Sequence, residues 1–163
     1  SGNPGTANVY LNACALAGAI TLVVDALKGY APVYLCLILH PRRPELAIAA
    51  GAAAIIGHNW TPLLGFKGGK GVATSAGVFL ALIPLPMAAT MAAFAIAVKI
   101  SGHISVGSMT AAISLPIAAV AFHSQTAYCI AAAISGGLII YKHIPNLKRL
   151  RQNKELGIHG PSA

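Results

Sequence analysis

GVATSAGVFLALIPLPMAATMAAFAIAVKI, residues Gly71 to Ile100, is one long apolar run interrupted at a single place, Pro84-Leu85-Pro86. Each proline removes a helix hydrogen bond and pushes the residue before it out of the helical region, which favours two short helices over one tilted rod. Working outward, further apolar stretches run from Leu11 to Leu39, Leu46 to Trp60, Ile104 to Phe122 and Thr126 to Tyr141. A bilayer core of roughly 30 Å needs about 20 helical residues. Leu46 to Trp60 is short for that and needs its flanks or protein neighbours. Leu11 to Leu39 is long and contains Asp25, Lys28 and a potential break at Gly29-Tyr30-Ala31-Pro32, so it reads as one kinked or broken span. The expectation is an all-α, polytopic transmembrane helical bundle of about six spans, forming one domain over residues 1–163.

Composition supports lipid as the solvent. The 163 residues are 56% hydrophobic and only 9% charged, with a mean hydropathy of +0.73, whereas a soluble domain carries roughly 25% charged residues. Eleven Lys and Arg against three acids give a net charge of +8, which suits anionic lipid or a phosphorylated substrate. Nucleic acid is disfavoured, because aromatics are only 6% of the chain and no recognition-module pattern is present. Cys14, Cys36 and Cys129 lie scattered without C-x-x-C spacing and read as small buried hydrophobes, so neither a metal nor a redox cofactor is expected. Ser1 instead of Met opens the chain, which reads as starting inside a longer sequence. Six spans would put Lys67, Lys70, Lys99, Lys142, Lys148, Arg149, Arg151 and Lys154 on one side and only Arg42 and Arg43 on the other, making the basic side cytoplasmic. Five spans give the same split, so the count rests on the proline pair.

Three polar segments carry the chemistry. The first is Gly57 to Thr74, GHNWTPLLGFKGGKGVAT. Its glycines and lysines stand directly before a helix start, so Lys67, Gly68, Gly69, Lys70 and Gly71 place backbone N–H groups, two cations and a helix N-terminus around one concavity suited to phosphate. It is not a Walker A loop, since Lys70 is followed by Gly71 and not by Ser or Thr. A tight turn with lipid-anchoring lysines is the other reading of the same residues. The second segment, SGNPGTAN at Ser1 to Asn8, either caps a helix through Asn8 or Asn12 or lines a ligand site. The third holds His143, Asn146 and Arg149, three apart on one helix face and able to converge on an anion, or else part of a basic tail held by anionic lipid. Ser105 and Ser108 follow Lys99 at a span start, and Asp25 with Lys28 reads as a structural ion pair.

Taken together and in this order, the segments resemble the acyl-phosphate glycerol-3-phosphate acyltransferases of bacterial membranes over nearly the whole chain. GHNW-TPLLGFKGGKGVAT is the most specific element, supported by SGNPGTAN, by D-x-L-K-G at Asp25 to Gly29 and, more loosely, by HIPNLKRL. The resemblance implies about seven helices, the first preceding Ser1, and an active site on the cytoplasmic side of the bacterial plasma membrane. It implies transfer of a fatty acyl group from acyl-phosphate to the 1-hydroxyl of glycerol 3-phosphate, giving lysophosphatidate and phosphate without a cofactor. By position, Gly68, Gly69, Lys70 and Gly71 would hold phosphate, with Lys70 the main cation. Ser1, Asn3 and Ser108 would donate hydrogen bonds to phosphate oxygens, and His143 and Asn146 would line the glycerol phosphate pocket. The H-x-x-x-x-D motif of thioester-using acyltransferases is absent, since Leu63 stands five residues after His58.

The chain departs from that pattern in places. Leu11 stands where the family usually has Arg, Thr6-Ala7 inverts the commoner order, Ile144-Pro145 replaces a polar pair and Asn153 replaces a glycine. A catalytically weakened paralogue is therefore one alternative. A membrane transporter or channel for phosphate or an organic anion is another, because broken helices aimed at anions also occur there.

Overall fold

The structure, a computed structural model, describes residues 10–11, 14–62 and 65–158. Seven α-helices are seen among them: α1 (Ala15–Leu39), α2 (Pro44–Asn59), α3 (Val72–Leu82), α4 (Pro84–Ser101), α5 (Ile104–Ala121), α6 (Thr126–Lys142) and α7 (Ile144–Arg151). They fall into two compact units, Ser1–Pro84 and Leu85–Ala163.

Among the described residues each apolar stretch read from the sequence is largely helical, and the long run divides at the proline pair. The N–H of Ile83 still bonds the Phe79 carbonyl at 2.8 Å, and Pro84, which has no N–H to lose, opens α4. By length and composition α1, α4 and α5 can each cross a membrane, and α6 with α7, bent by 49°, forms a fourth candidate span; α3 is a shorter apolar helix. Only 17% of the most apolar window of α1 is buried. Leu16, Ile20, Val23, Val24 and Leu27 instead point outward, an exterior that only lipid solvates without cost. The chain is a multi-pass membrane protein.

Two expectations need correction. Of the kink or break expected at Gly29–Pro32, the break does not occur: α1 runs as one helix through Pro32 to Leu39. Gly29 serves close packing, since a Cβ there would strike the Thr74 carbonyl oxygen. Cys14, expected to be buried, is exposed, and its Sγ caps α1 by accepting the Ala17 N–H at 3.4 Å.

In the first unit α1, α2 and α3 pack on one another through residues that let backbones approach. A Cβ on Gly77 would strike the Ala26 carbonyl oxygen, and one on Gly51 would meet Val78 Cγ1 at 2.6 Å. Close approach of this kind is how helices associate where lipid removes the hydrophobic drive between them. Val33, Ala47, Ile55, Val78 and Phe79 fill the space between. The second unit uses the same device, with Gly107 against Phe94 and Gly136 against the Ala112 carbonyl oxygen.

Candidate active site

The glycine-lysine segment connects α2 to α3 and is held against the end of α2. The Gly69 N–H donates to the His58 carbonyl at 3.2 Å. Gly68 lies so close to that same carbonyl that a Cβ would overlap it, and a Cβ on Gly71 would meet Asn59 Oδ1 at 2.8 Å. Gly71 also has φ +77° as the N-cap of α3, a conformation that costs other residues roughly 1–2 kcal/mol. The glycines are thus required by the neighbouring helix end and by the turn into α3. Beyond Gly71, the first N–H groups of α3 have no carbonyl within the helix to bond, and the helix dipole brings partial positive charge to the same place. Lys67 is exposed there, and Lys70 is half-buried.

Beneath this loop lies a group of which the sequence shows only one pair. Asp25 and Lys28 do pair, Oδ1 to Nζ at 2.6 Å, but Lys28 Nζ is also 2.6 Å from His58 Nδ1. Asp25 Oδ1 lies 3.5 Å from the same nitrogen. The far edge of the imidazole faces Gly69, where a Cβ would overlap His58 Nε2. Asp25, Lys28, Gly57, His58, Thr61 and Gly69 all border one cavity of about 380 Å³. Position along the chain gave no sign of this, because thirty residues separate Lys28 from His58.

The second unit holds the C-terminal candidates. His143 ends α6 and precedes α7; its ring is buried, with Nδ1 2.8 Å from the Ile139 carbonyl. A carbonyl only accepts, so Nδ1 carries a proton and a neutral ring has its lone pair on Nε2. Ser108 Oγ–H donates to the Ile104 carbonyl at 2.9 Å. Asn146 and Arg149 converge on an anion, as their spacing suggested, but that anion is the chain's own Glu155. Asn146 Nδ2 donates to Oε1, and Arg149 Nε donates to Oε2 at 2.7 Å. Burial opposes ionisation of Glu155, yet these hydrogen bonds hold its carboxyl below its ordinary value of 4.5. Glu155 was counted only as a charge in the sequence reading; its chain spacing from Asn146 and Arg149 follows no helical period that would have linked them.

Ser1, Asn3, Asn8 and Asn12 lie outside the described residues. Leu11 is helical and half-buried. Among the described residues no three His, Cys, Asp or Glu side chains gather as a metal site would require.

Residues 1–153 match the profile of the glycerol-3-phosphate acyltransferase family. The chain is 42% identical over 155 residues to the glycerol-3-phosphate acyltransferase of Endomicrobium trichonymphae, covering 95% of this chain and 77% of that protein. It is 40% identical over 166 residues to the enzyme of the same name from Neisseria meningitidis serogroup C, covering 98% and 82%. Its fold is similar to the crystal structure of PlsY (YgiH), an integral membrane glycerol 3-phosphate acyltransferase, in its glycerol 3-phosphate form. The TM-score is 0.92 at 30% identity, over 97% of this chain and 79% of that one. The lysophosphatidic acid form of PlsY gives a TM-score of 0.90 at 29% identity. The chain belongs to the glycerol-3-phosphate acyltransferase family.

Proposed function

We propose that this chain acts as one acyltransferase domain, moving a fatty acyl group from acyl-phosphate to the 1-hydroxyl of glycerol 3-phosphate in phospholipid synthesis. The observation that carries the reading is the Gly68–Gly71 loop: a glycine-lysine turn clamped on α2, opening directly into the N-terminus of α3, in a member of this family. The two forms of PlsY hold glycerol 3-phosphate and lysophosphatidic acid, the acceptor and the acylated product of such a reaction. That kinship favours an enzyme over an anion transporter.

In this reading the glycerol hydroxyl oxygen attacks the acyl carbonyl carbon, a new ester bond forms, and the bond from carbonyl carbon to phosphate oxygen breaks. The hydroxyl proton passes to a phosphate oxygen. An acyl phosphate is a mixed anhydride with a good leaving group, so most of the protein's contribution is to hold two mutually repelling phosphates and stabilise developing charge. Lys70, the N–H groups of Gly68 and Gly71, and the start of α3 supply that at the leaving phosphate, with Lys67 adding positive charge nearby and the Gly69 N–H tying the loop to α2. Ser1 and Asn3 donate to phosphate oxygens, as does Ser108 once its hydroxyl turns from Ile104. His143 borders the glycerol hydroxyls. Asn146 lines the glycerol phosphate pocket, and Arg149 contributes charge there through the guanidinium nitrogens that Glu155 leaves available. In this reading the site lies on the cytoplasmic face of a bacterial plasma membrane, which the excess of Lys and Arg in the loops supports.

The test is acyl transfer by the full chain in detergent, given glycerol 3-phosphate with palmitoyl phosphate or with a palmitoyl thioester. Product is expected from the phosphate donor alone. Lys70→Ala should lower kcat/KM about 100-fold, the usual loss for one charge-stabilising donor. Lys154→Ala, at an exposed position, should stay within about twofold. Equal losses reject the loop as the catalytic centre, transfer from the thioester rejects the donor, and phosphate uptake into vesicles without product supports a transporter.

A further inference from the structure

The contact between Lys28 and His58 determines where the imidazole carries its proton. An ammonium group has three donors and no lone pair, so a separation of 2.6 Å from Nζ to Nδ1 is attractive only if Nδ1 accepts. The alternative, an Nδ1–H donating to Asp25, would direct that hydrogen past an ammonium group to a carboxylate oxygen 3.5 Å away. Asp25 Oδ1 instead holds Lys28 in place at 2.6 Å. A neutral His58 therefore carries its proton on Nε2, the atom that faces Gly69. The ring has little room to turn, since its side chain is only 8% exposed. His58 thus meets the loop twice, through its carbonyl to the Gly69 N–H and through the Nε2 edge of its ring.

We propose that Lys28, braced by Asp25, locks His58 in the Nε2–H tautomer and so makes it a positioning residue that holds the Gly68–Gly71 loop in its phosphate-binding shape. His58 acts through the loop and touches no reacting atom. Only the kinetic readout of this proposal rests on the acyltransferase reading.

Two measurements test it. Nitrogen-15 NMR of the histidine-labelled full chain, with the His58 signals identified by their loss in His58→Gln, reports the tautomer whether or not the chain is active. A bare Nδ1 and protonated Nε2 are expected at neutral pH, with mixed tautomers in Lys28→Met. A wild-type ring protonated on Nδ1 overturns the proposal. In acyl transfer, His58→Gln places an amide nitrogen near the site of Nε2, whereas His58→Asn supplies only an acceptor near the site of Nδ1. The Asn variant should lose more, chiefly through KM for the phosphorylated substrates. Lys28→Met should cost about 10- to 100-fold in the wild-type background, the scale of one hydrogen bond to a charged group. In the His58→Gln background it should cost less than about twofold, because glutamine has no tautomer to set. Equal costs in both backgrounds mean a merely structural ion pair and overturn the proposal. If Lys28→Met does not fold, Asp25→Asn/Lys28→Met removes both charges and is read in the same two backgrounds. A wild-type chain without acyl transfer defeats the acyltransferase reading, and the NMR result still decides the tautomer.

Discussion

Adding one methyl group at Gly68 or at Gly69 separates two kinds of contact in the same loop. A Cβ on Gly69 would overlap His58 Nε2 and lie 2.7 Å from Cε1, whereas on Gly68 it would overlap the His58 carbonyl oxygen and lie 2.8 Å from the Asn59 carbonyl carbon. Relief at Gly69 has two routes. If the ring swings aside, it gives up its bond to Lys28, about 1.5–3 kcal/mol for a hydrogen bond to a charged group. If the loop lifts by about 1 Å instead, misplacement of that size costs about 100-fold in rate. Either route puts Gly69→Ala near a 100-fold loss in kcat/KM, roughly 2.7 kcal/mol. In a His58→Ala background, already impaired, the new methyl enters space the ring has left. The further loss from Gly69→Ala should then shrink to less than about threefold, a coupling near 2 kcal/mol and within the range for residues in contact. Gly68→Ala meets backbone that no side-chain change removes, so it should cost the same in both backgrounds. The assay is the initial rate of phosphate release from palmitoyl phosphate with glycerol 3-phosphate, normalised to folded protein by size-exclusion chromatography. A Gly69→Ala loss that is undiminished by His58→Ala, or a Gly68→Ala loss that His58→Ala relieves, refutes the described packing.

Adjacent glycines in α6 should respond oppositely. Gly136→Ala would drive a Cβ into the Ala112 carbonyl oxygen and should destabilise by about 1–3 kcal/mol, whereas Gly137 has nothing within 4 Å and its alanine should stabilise by about 0.5–1 kcal/mol; thermal unfolding midpoints in detergent decide this. Glu155 has a folded-state pKa below its ordinary 4.5, so its stabilisation is complete above 4.5 and is lost as pH falls through the folded value. The thermal midpoint of the wild type should therefore exceed that of Glu155→Gln at neutral pH, with the gap closing in acid, and a gap that widens in acid contradicts the assignment.

What the sequence made legible follows from how local each cause is. Proline acts on its own residue and the one before it, so the division at Ile83 could be read from Pro84-Leu85-Pro86 without tertiary knowledge. The glycine-lysine loop was legible for a similar reason, since backbone donors, cations and a helix start all fall within a few residues. Gly29 was misread because glycine signals equally a break or a close approach, and only the position of the Thr74 carbonyl distinguishes them. Lys28 and His58 meet across two helices, and Asn146 and Arg149 meet Glu155 only after the chain turns back beyond α7. Those contacts depend on packing, which no spacing rule encodes.

The acids show how the basic chain organises its charge. It has three acidic residues, and each has a basic partner: Asp25 with Lys28, Glu45 with Arg43, and Glu155 with Arg149. Two are nearly enclosed, with Asp25 10% and Glu155 8% exposed, while Glu45 is 59% exposed. An exposed pair contributes little, but an enclosed carboxylate that loses its base is costly, even though Lys28 and Arg149 are themselves 40% and 41% exposed. The two enclosed carboxylates each hold a base and, through it or beside it, a second polar side chain of their own unit: Asp25 with Lys28 and His58, Glu155 with Arg149 and Asn146. One acid matched to one base leaves the net charge at +8, so the carboxylates orient donors without offsetting the basic excess. By this logic Asp25→Asn should cost more than the charge it removes, because Lys28 loses its brace and His58 loses its fixed tautomer.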